Sequence, residues 1–180
     1  EPLADGPFGS LIERIIEWMD EYYSIRLSGE VMRGMTQNAI RGHYQSDAPI
    51  GYTSPGDKKP PVINPDTVQI PLMIKDMFLS GSTQLQIARK LNDMGYRTKR
   101  GNLWDARGVR YVLENPFYIG KSRWNYTERG RKLKPSDEVI YADGNWEALW
   151  DEDTFKEIQK RLALNMRKAK SRDVSSAKHW

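Results

Sequence analysis

The sequence predicts a mainly α fold with small β elements (α+β), in which a long projecting helix leads into a compact helix-turn-helix-like domain. Three observations predict this fold. Apolar residues recur at helical spacing over residues 11–35, a Pro- and Gly-rich stretch follows, and two capped amphipathic segments then flank a basic loop. At 180 residues with 38% hydrophobic residues, the chain is long enough to form a compact core.

The first helix is predicted to begin at a capping box formed by Ser10 and Glu13 and to run to about Arg41. Its apolar positions are Leu11, Ile12, Ile15, Ile16, Met19, Tyr22, Tyr23, Leu27, Val31 and Met35. At 1.5 Å per residue such a helix is roughly 45 to 50 Å long, so part of it is expected to project or to pair. The alternative is a break near Gly29, because glycine is costly inside a helix.

Residues 45–65 are rich in Pro, Gly, Ser and Asp and predict turns and a tether. A helix is expected next, with Pro71 in its first turn and Gly81 at its end. Its buried candidates are Leu72, Ile74, Met77 and Phe78.

Two further helices are predicted on either side of a basic loop. Thr83 and Gln86 can cap the first, Gly95 ends it, and its apolar face is Ile87, Ala88, Leu91 and Met94. Residues 96–104 form a short hairpin or an extended loop with a turn at Gly101 and Asn102. Asp105 can cap the second helix, which Asn115 and Pro116 stop. In that helix Val109, Val112 and Leu113 face inward, and Arg107, Arg110, Tyr111 and Glu114 face outward.

The remainder is predicted to contain a strand over residues 117–126 and a basic loop over residues 127–134. Asp151 is expected to cap a last helix whose buried face is Phe155, Ile158 and Leu162. Beyond Asn165 the pattern indicates only a basic tail.

Basic charge is concentrated in one part of the chain. Residues 97–134 hold eleven Lys and Arg against three Asp and Glu, a local net charge of +8, which leaves −4 for the rest of a chain whose total is +4. Such clustering is typical of a surface that binds a polyanion. The alternative is a solvated charged face with Trp104, Tyr111, Trp124 and Tyr126 in the core.

The helix pair favours double-stranded DNA as the partner. Outward arginines on a short capped helix are suited to base edges in a major groove, and the basic loop is suited to phosphates. The predicted DNA-binding residues are Arg41, His43, Arg97, Thr98, Lys99, Arg100, Asn102, Trp104, Arg107, Arg110, Tyr111, Lys121 and Arg123. Alanine at Arg107 or Arg110 is expected to weaken specific binding by about 1 to 3 kcal/mol if these residues contact bases. For His43 an exposed polar residue at a helix end is the favoured alternative.

Composition excludes several classes of function. The chain has no Cys and only two His, so we expect no disulfide and no metal site built from thiolates or a histidine cluster. No cofactor and no catalytic residue are predicted in this chain. No run of about 18 apolar residues and no signal peptide is present, and a cytoplasmic protein is expected. Because the chain begins at Glu1 rather than Met, it is interpreted as a fragment.

Several motifs, in order along residues 10–164, resemble the large serine recombinases. They are residues 21–24 (EYYS), 33–34 (RG), 49–52 (PIGY), Ile87, Ala88, Leu91, Asn92, Gly95, Trp104, residues 113–120 (LENPFYIG) and 150–155 (WDEDTF). The resemblance implies a bacterial, phage or mobile-element integrase, invertase or transposon resolvase. Such a protein cuts and rejoins DNA through a serine nucleophile.

The resemblance also implies an organisation. Residues 1–44 would be the long helix that ends the catalytic domain, used for dimerisation and DNA crossing; 45–65 the linker, which follows the minor groove; 66–168 the recombinase DNA-binding domain; and 169–180 a basic tail. The serine domain and the zinc ribbon of such proteins are expected to lie outside this chain. The fragment is therefore expected to recognise an attachment half-site without cutting it, within a parent that forms dimers, and tetramers in synapsis.

Two other functions fit the same patterns. A transcription regulator with a winged helix-turn-helix would have residues 83–114 of much the same kind. A protein-interaction module would use the long helix for a partner, and its basic face would be incidental. An intact enzyme is not expected, because no nucleophile, base and metal constellation is present.

Overall fold

The computed structural model describes residues 6–44, 46–56, 59–127, 132–135 and 138–176, and side chains as far as residue 166. The chain divides into two compact units, Glu1–Asn38 and Ala39–Trp180. The helices are α1 (Pro7–Ile40), α2 (Gln69–Leu79), α3 (Gln84–Asp93), α4 (Ala106–Leu113), a 3-10 helix (Pro116–Ile119) and α5 (Glu152–Ser176). The strands are β1 (Tyr52–Thr53), β2 (Val62–Ile63), β3 (Lys121–Trp124) and β4 (Ile140–Asp143). The predicted fold class, mainly helical with small β elements and a long first helix, is confirmed.

Helix α1 is continuous through Gly29, so the alternative of a break there is wrong. It begins at Pro7 rather than at Ser10, and the Ser10 N–H already donates to the Gly6 carbonyl at 3.2 Å. The capping box expected at Ser10 and Glu13 is therefore wrong. Proline suits the first turn, where its missing N–H has no helical partner to lose.

The segment between α1 and α2 contains a small antiparallel sheet, with Tyr52 opposite Ile63 and Thr53 opposite Val62. Pro71 lies in the first turn of α2, as predicted, and Ile74 and Phe78 are buried. The other two candidates of this helix, Leu72 and Met77, are only partly buried and pack against the core.

The predicted caps of α3 and α4 are both present. Thr83 and Gln86 form a capping box at the start of α3, and the Asp105 carboxylate accepts from the Gly108 N–H at 2.6 Å at the start of α4. Met94 was expected on the apolar face of α3 but is 49% exposed, because the helix ends at Asp93 and Met94 leaves its periodicity. The predicted inward residues of α4, Val109, Val112 and Leu113, are at most 3% exposed.

The strand expected over residues 117–126 is shorter than predicted. Residues 116–119 form a 3-10 helix, because Asn115 caps Phe117 with its side chain and Pro116 occupies the first position. Gly120 then turns the chain with a φ of +73°, and β3 starts at Lys121. Strand β3 pairs with β4 in antiparallel register, Arg123 opposite Tyr141. Much of the predicted loop at 127–134 lies outside the described residues.

Helix α5 begins as predicted after Asp151, whose carboxylate accepts from the Thr154 N–H at 2.7 Å. Ile158 and Leu162 are buried, and Phe155 packs partly buried against the core. The helix continues to Ser176, where only a basic tail was expected beyond Asn165.

Aromatic side chains join segments of the second unit that are distant in sequence. Phe117 stacks on Trp146 at 4.1 Å between ring centroids, and Tyr118 stacks on Trp150 at 4.6 Å. The fully buried Tyr118 hydroxyl donates to the Ile50 carbonyl at 2.9 Å. These contacts hold the segment before β1, the 3-10 helix and the start of α5 together.

Candidate nucleic-acid interface

Helix α4 presents one polar face to solvent and one apolar face to the core. Its buried side is Val109, Val112 and Leu113, and it packs on α3. Arg107 and Tyr111 lie four residues apart and therefore share the opposite face. Both are exposed, Tyr111 to 57%, and Arg107 has no hydrogen bond or ion pair within the described part of the chain. Arg107 is thus free to contact a ligand.

Arg110 is less free. Its Nε lies 2.8 Å from the Glu114 carboxylate, and a terminal nitrogen lies 3.2 Å from the Met166 sulfur. The side chain is 39% exposed, so the ion pair is only partly screened from solvent. Arg107 and Arg110 were both predicted to face outward, but of the two only Arg110 is held in an ion pair with a described residue, because Glu114 follows it at the helical spacing of four.

A tight turn precedes α4. The Thr98 N–H donates to the Asn102 carbonyl at 2.9 Å, and the Asn102 N–H donates to the Thr98 hydroxyl at 3.1 Å. Gly101 has a φ of +78°, a backbone conformation that would be strained for a residue with a side chain. Residues 96–104 therefore form a loop with a turn and no strands, rather than a hairpin. Arg100 and Asn102 are exposed on this loop.

Two cations of this loop are held by the protein itself. The Lys99 ammonium lies 2.5 Å from an Asp47 carboxylate oxygen and 2.7 Å from the Ala48 carbonyl. Arg97 donates to the carbonyls of Tyr96 at 2.9 Å and Asn92 at 3.3 Å. The contact of Lys99 joins the loop to the segment before β1, and that of Arg97 closes over the end of α3.

Tyr111 of α4 lies within electrostatic range of Arg123 on β3 and of Tyr126. Arg123 stacks over the Tyr126 ring at 3.9 Å. Burial raises the pKa of Tyr111, nearby Tyr126 raises it further, and the Arg123 guanidinium lowers it. Burial also raises the pKa of Tyr44, with smaller contributions from Tyr111, Asp47 and Tyr126. Tyr111 therefore keeps its hydroxyl proton at neutral pH and can donate it.

These contacts bring predicted site residues from three places into one surface. Lys99 and the Tyr44 hydroxyl both bond Asp47, and Arg123 lies over Tyr126. Tyr111 of α4 lies near enough to Tyr44, Arg123 and Tyr126 for their charges to influence one another's pKa. We call this surface, together with Arg107 and the exposed turn residues Arg100 and Asn102, the α4 surface.

Four further predicted residues are not included in the α4 surface. Trp104 is 6% exposed and belongs to the core, because its ring lies beneath Gly108 of α4. Lys121 lies 2.7 Å from Glu152 at the start of α5. Arg41 and His43 are exposed on either side of Gly42, which approaches the Asp143 carbonyl of β4 too closely for any side chain.

Sequence reasoning missed three members or neighbours of this surface. Asp47 pairs with Lys99 across 52 residues, and no local pattern indicates such a pairing. Tyr126 was considered only as an interleaved aromatic residue, although it supports Arg123. Tyr141 is 60% exposed opposite Arg123, and only the register of β3 and β4 reveals it.

The described residues contain no group of three or more His, Asp or Glu side chains arranged to hold a metal ion. Nor does any helix among them have the length and apolar character needed to cross a membrane.

Comparison with known proteins identifies the family. The sequence model of the family described as Recombinase matches residues 65–165. Two solved chains have a similar fold, one from a structure described as "Crystal Structure of a LSR-DNA Complex" and one from "Sequence Requirements of the Listeria innocua prophage attP site". Each is 18% identical, has a TM-score of 0.56 and is matched over 74% of this chain. The chain spans 38% of the first and 51% of the second. No curated protein matches it.

The family match covers more than half of the chain and includes α2, α3, α4 and most of the described part of α5. The fold agreement covers 74% of this chain. This chain belongs to the Recombinase family and contains the recombinase domain of a large serine recombinase.

Proposed function

We propose that residues 39–166 bind double-stranded DNA sequence-specifically, at one half of an attachment site. The observation that carries the proposal is Arg107, which is exposed on the polar face of α4 and has no partner among the described residues. It lies in the first turn of a short helix whose opposite face is fully buried. A helix of this kind fits the major groove, where arginine can donate two hydrogen bonds to a guanine.

The rest of the α4 surface is suited to the DNA backbone. Arg100 and Asn102 lie exposed on the tight turn, and the Arg123 guanidinium lies over the Tyr126 ring without a hydrogen bond or ion pair among the described residues. Guanidinium groups and amides bind phosphates without reading sequence, and they fix the register of the helix in the groove. The neutral Tyr111 hydroxyl adds a donor beside Arg107. Two solved relatives in fold are described as an LSR–DNA complex and a study of an attP site, which supports DNA as the partner.

In this proposal the chain positions DNA and does not cut it. The serine nucleophile would be supplied by a catalytic domain of the parent protein, which would join a DNA phosphate to itself. Residues 39–166 would hold the flanking sequence so that the phosphate is presented to that serine.

The test is a binding titration at two salt concentrations. The selected duplex is obtained by enriching, from a pool of duplexes with a randomised centre, the sequence that the chain binds. The scrambled duplex has the same base composition in a different order, and the affinities for the two duplexes are compared. We expect tighter binding of the selected duplex, and a steep loss of binding to both as salt rises, because bound phosphates release counterions. Equal affinity for the two duplexes at every salt concentration would show that binding is not sequence-specific. No binding to either duplex would show that the proposed DNA binding is wrong.

Self-association through α1 is the second proposed function. Phe8, Leu11, Ile15, Trp18, Tyr22 and Ile25 follow one another at alternating spacings of three and four residues, and all are at least 48% exposed. This spacing is typical of a helix that pairs with another helix. A second copy of the chain is the proposed occupant, as in a dimer of the parent. Ile15→Asp is expected to convert a dimer to a monomer in sedimentation equilibrium, whereas Glu17→Gln is expected not to do so.

A further inference from the structure

The Asn92 side chain is clamped to the backbone of Trp104 by two hydrogen bonds. The Trp104 N–H donates to Asn92 Oδ1 at 2.8 Å, and Asn92 Nδ2 donates to the Trp104 carbonyl at 2.8 Å. A backbone N–H can only donate and a carbonyl can only accept, so the orientation of the amide is fixed. Asparagine thus pairs with the loop as a neighbouring strand would.

The clamp joins the end of α3 to the residue before the cap of α4. Trp104 is followed by Asp105, whose carboxylate holds the Gly108 N–H at 2.6 Å. Arg107 lies in the turn that this cap closes. Between Asn92 and Trp104 the chain passes through the exposed turn at Gly101, which by itself does not hold the first residues of α4 in place. The two hydrogen bonds of the Asn92 amide hold the backbone at Trp104.

The indole of Trp104 makes no competing polar contact. Its ring packs beneath Gly108, where an added Cβ would lie 3.5 Å from the ring, and its Nε1 has no hydrogen-bond partner among the described residues. The ring therefore supports α4 by packing alone, whereas the direction of the Trp104 backbone depends on Asn92. An unpaired Trp104 N–H and carbonyl would be free to rotate and to carry the first turn of α4 with them.

We propose that Asn92 is a positioning residue for DNA recognition: its amide fixes the start of α4 and thereby the place where Arg107 meets the duplex. The inference rests on the proposed function, because it concerns the same surface. Asn92 itself does not touch DNA. Displacing a base-reading side chain by a fraction of a hydrogen-bond length loses its directional bonds, while phosphate contacts from flexible cations adapt.

The experiment compares Asn92→Leu, which has a similar shape and no amide, with Gln159→Leu. Gln159 donates to the Leu113 carbonyl at 2.8 Å and so makes an amide contact at the other end of α4. A second variant, Asn92→Asp, keeps the acceptor for the Trp104 N–H and loses only the donor. Each chain is titrated with the selected and the scrambled duplex, and the ratio of the two dissociation constants is reported. The charge added in Asn92→Asp affects both duplexes and cancels in that ratio.

We expect Asn92→Leu to lower the ratio about tenfold, as losing one base contact would, while binding to the scrambled duplex changes less than about twofold. Asn92→Asp is expected to lower the ratio by less. Gln159→Leu is expected to lower the unfolding midpoint and leave the ratio unchanged. In the absence of DNA, hydrogen exchange of the Trp104 amide is expected to accelerate in Asn92→Leu and not in Gln159→Leu.

The possible failures are distinguishable. If the wild-type chain binds the selected and the scrambled duplex equally, both the proposed function and this inference are wrong. A wild-type preference that survives in both Asn92 variants overturns the positioning role alone. If Asn92→Leu does not fold, the ratio measured for Asn92→Asp decides, and an unchanged ratio there overturns the inference.

Discussion

Lys99 donates to the Asp47 carboxylate at 2.5 Å, so a cation predicted to bind phosphate is paired with an acid 52 residues earlier in the chain. Both side chains are exposed, 44% for Lys99 and 78% for Asp47, and an exposed pair of this kind contributes little to stability. Its effect on the proposed DNA binding is expected to be larger, because Asp47 would compete with a phosphate for the same ammonium group.

Asp47→Asn is therefore expected to strengthen binding to random duplex and to steepen its salt dependence by about one unit of slope. Lys99→Ala is expected to lower that slope. Asp93→Asn, which removes an exposed carboxylate of α3, serves as a control for net charge. If the Asp47 and Asp93 variants gain equally, long-range charge rather than the Lys99 pairing explains the gain.

The two arginines of α4 provide a second prediction. Arg107→Ala is expected to cost about 1 to 3 kcal/mol in binding to the selected duplex, because an unpaired arginine on the outward face can bond a guanine. Arg110→Ala is expected to cost less, since Glu114 already occupies its Nε at 2.8 Å. Arg89→Ala, on the exposed side of α3, is the matched control. Equal losses on selected and scrambled duplexes would assign Arg107 to phosphates instead.

Stability should follow burial on α3. Leu91 is fully buried and Leu85 is 50% exposed, although both are leucines of one helix. Leu91→Ala is expected to lower the free energy of unfolding by about 2 to 5 kcal/mol, because it leaves a cavity in the core. Leu85→Ala is expected to change it by less than about 0.5 kcal/mol. Denaturant titration measures both, and similar values would place α3 outside the core.

Local signals account for most of what the sequence predicted. The caps at Thr83, Asp105 and Asp151 each depend on a side chain and a backbone N–H only a few residues away, so spacing alone reveals them. The predicted strand is present only from Lys121 to Trp124, because Phe117 and Tyr118 pack into the core from a 3-10 helix instead. Asn115 and Pro116 favour that helix more strongly than side-chain alternation favours a strand.

The candidate site was less predictable than the fold. Charge clustering indicated which region is basic, but the free or paired state of each cation depends on distant residues. Lys99 is paired through Asp47 and Lys121 through Glu152, and neither contact has a sequence signal. Trp104 shows the same limit, since an aromatic residue in a basic loop suits a DNA surface and a core equally well. Only its burial decides.

The start of α5 provides a prediction about pH. Hydrogen bonds from the Thr154 backbone and hydroxyl lower the pKa of Asp151 below its ordinary value of 3.8, and the Lys121 ammonium lowers the pKa of Glu152. A carboxyl group whose pKa is lowered by folding stabilises the folded state above its unfolded pKa, and this stability is lost as the pH falls through the folded value.

Asp151→Asn is therefore expected to reduce the free energy of unfolding at neutral pH and to flatten its decline below about pH 4. Asp153→Asn, at a carboxylate that is 95% exposed, is the control and should retain the wild-type profile. Parallel profiles for the wild type and Asp151→Asn would show that the cap does not contribute to the acid sensitivity.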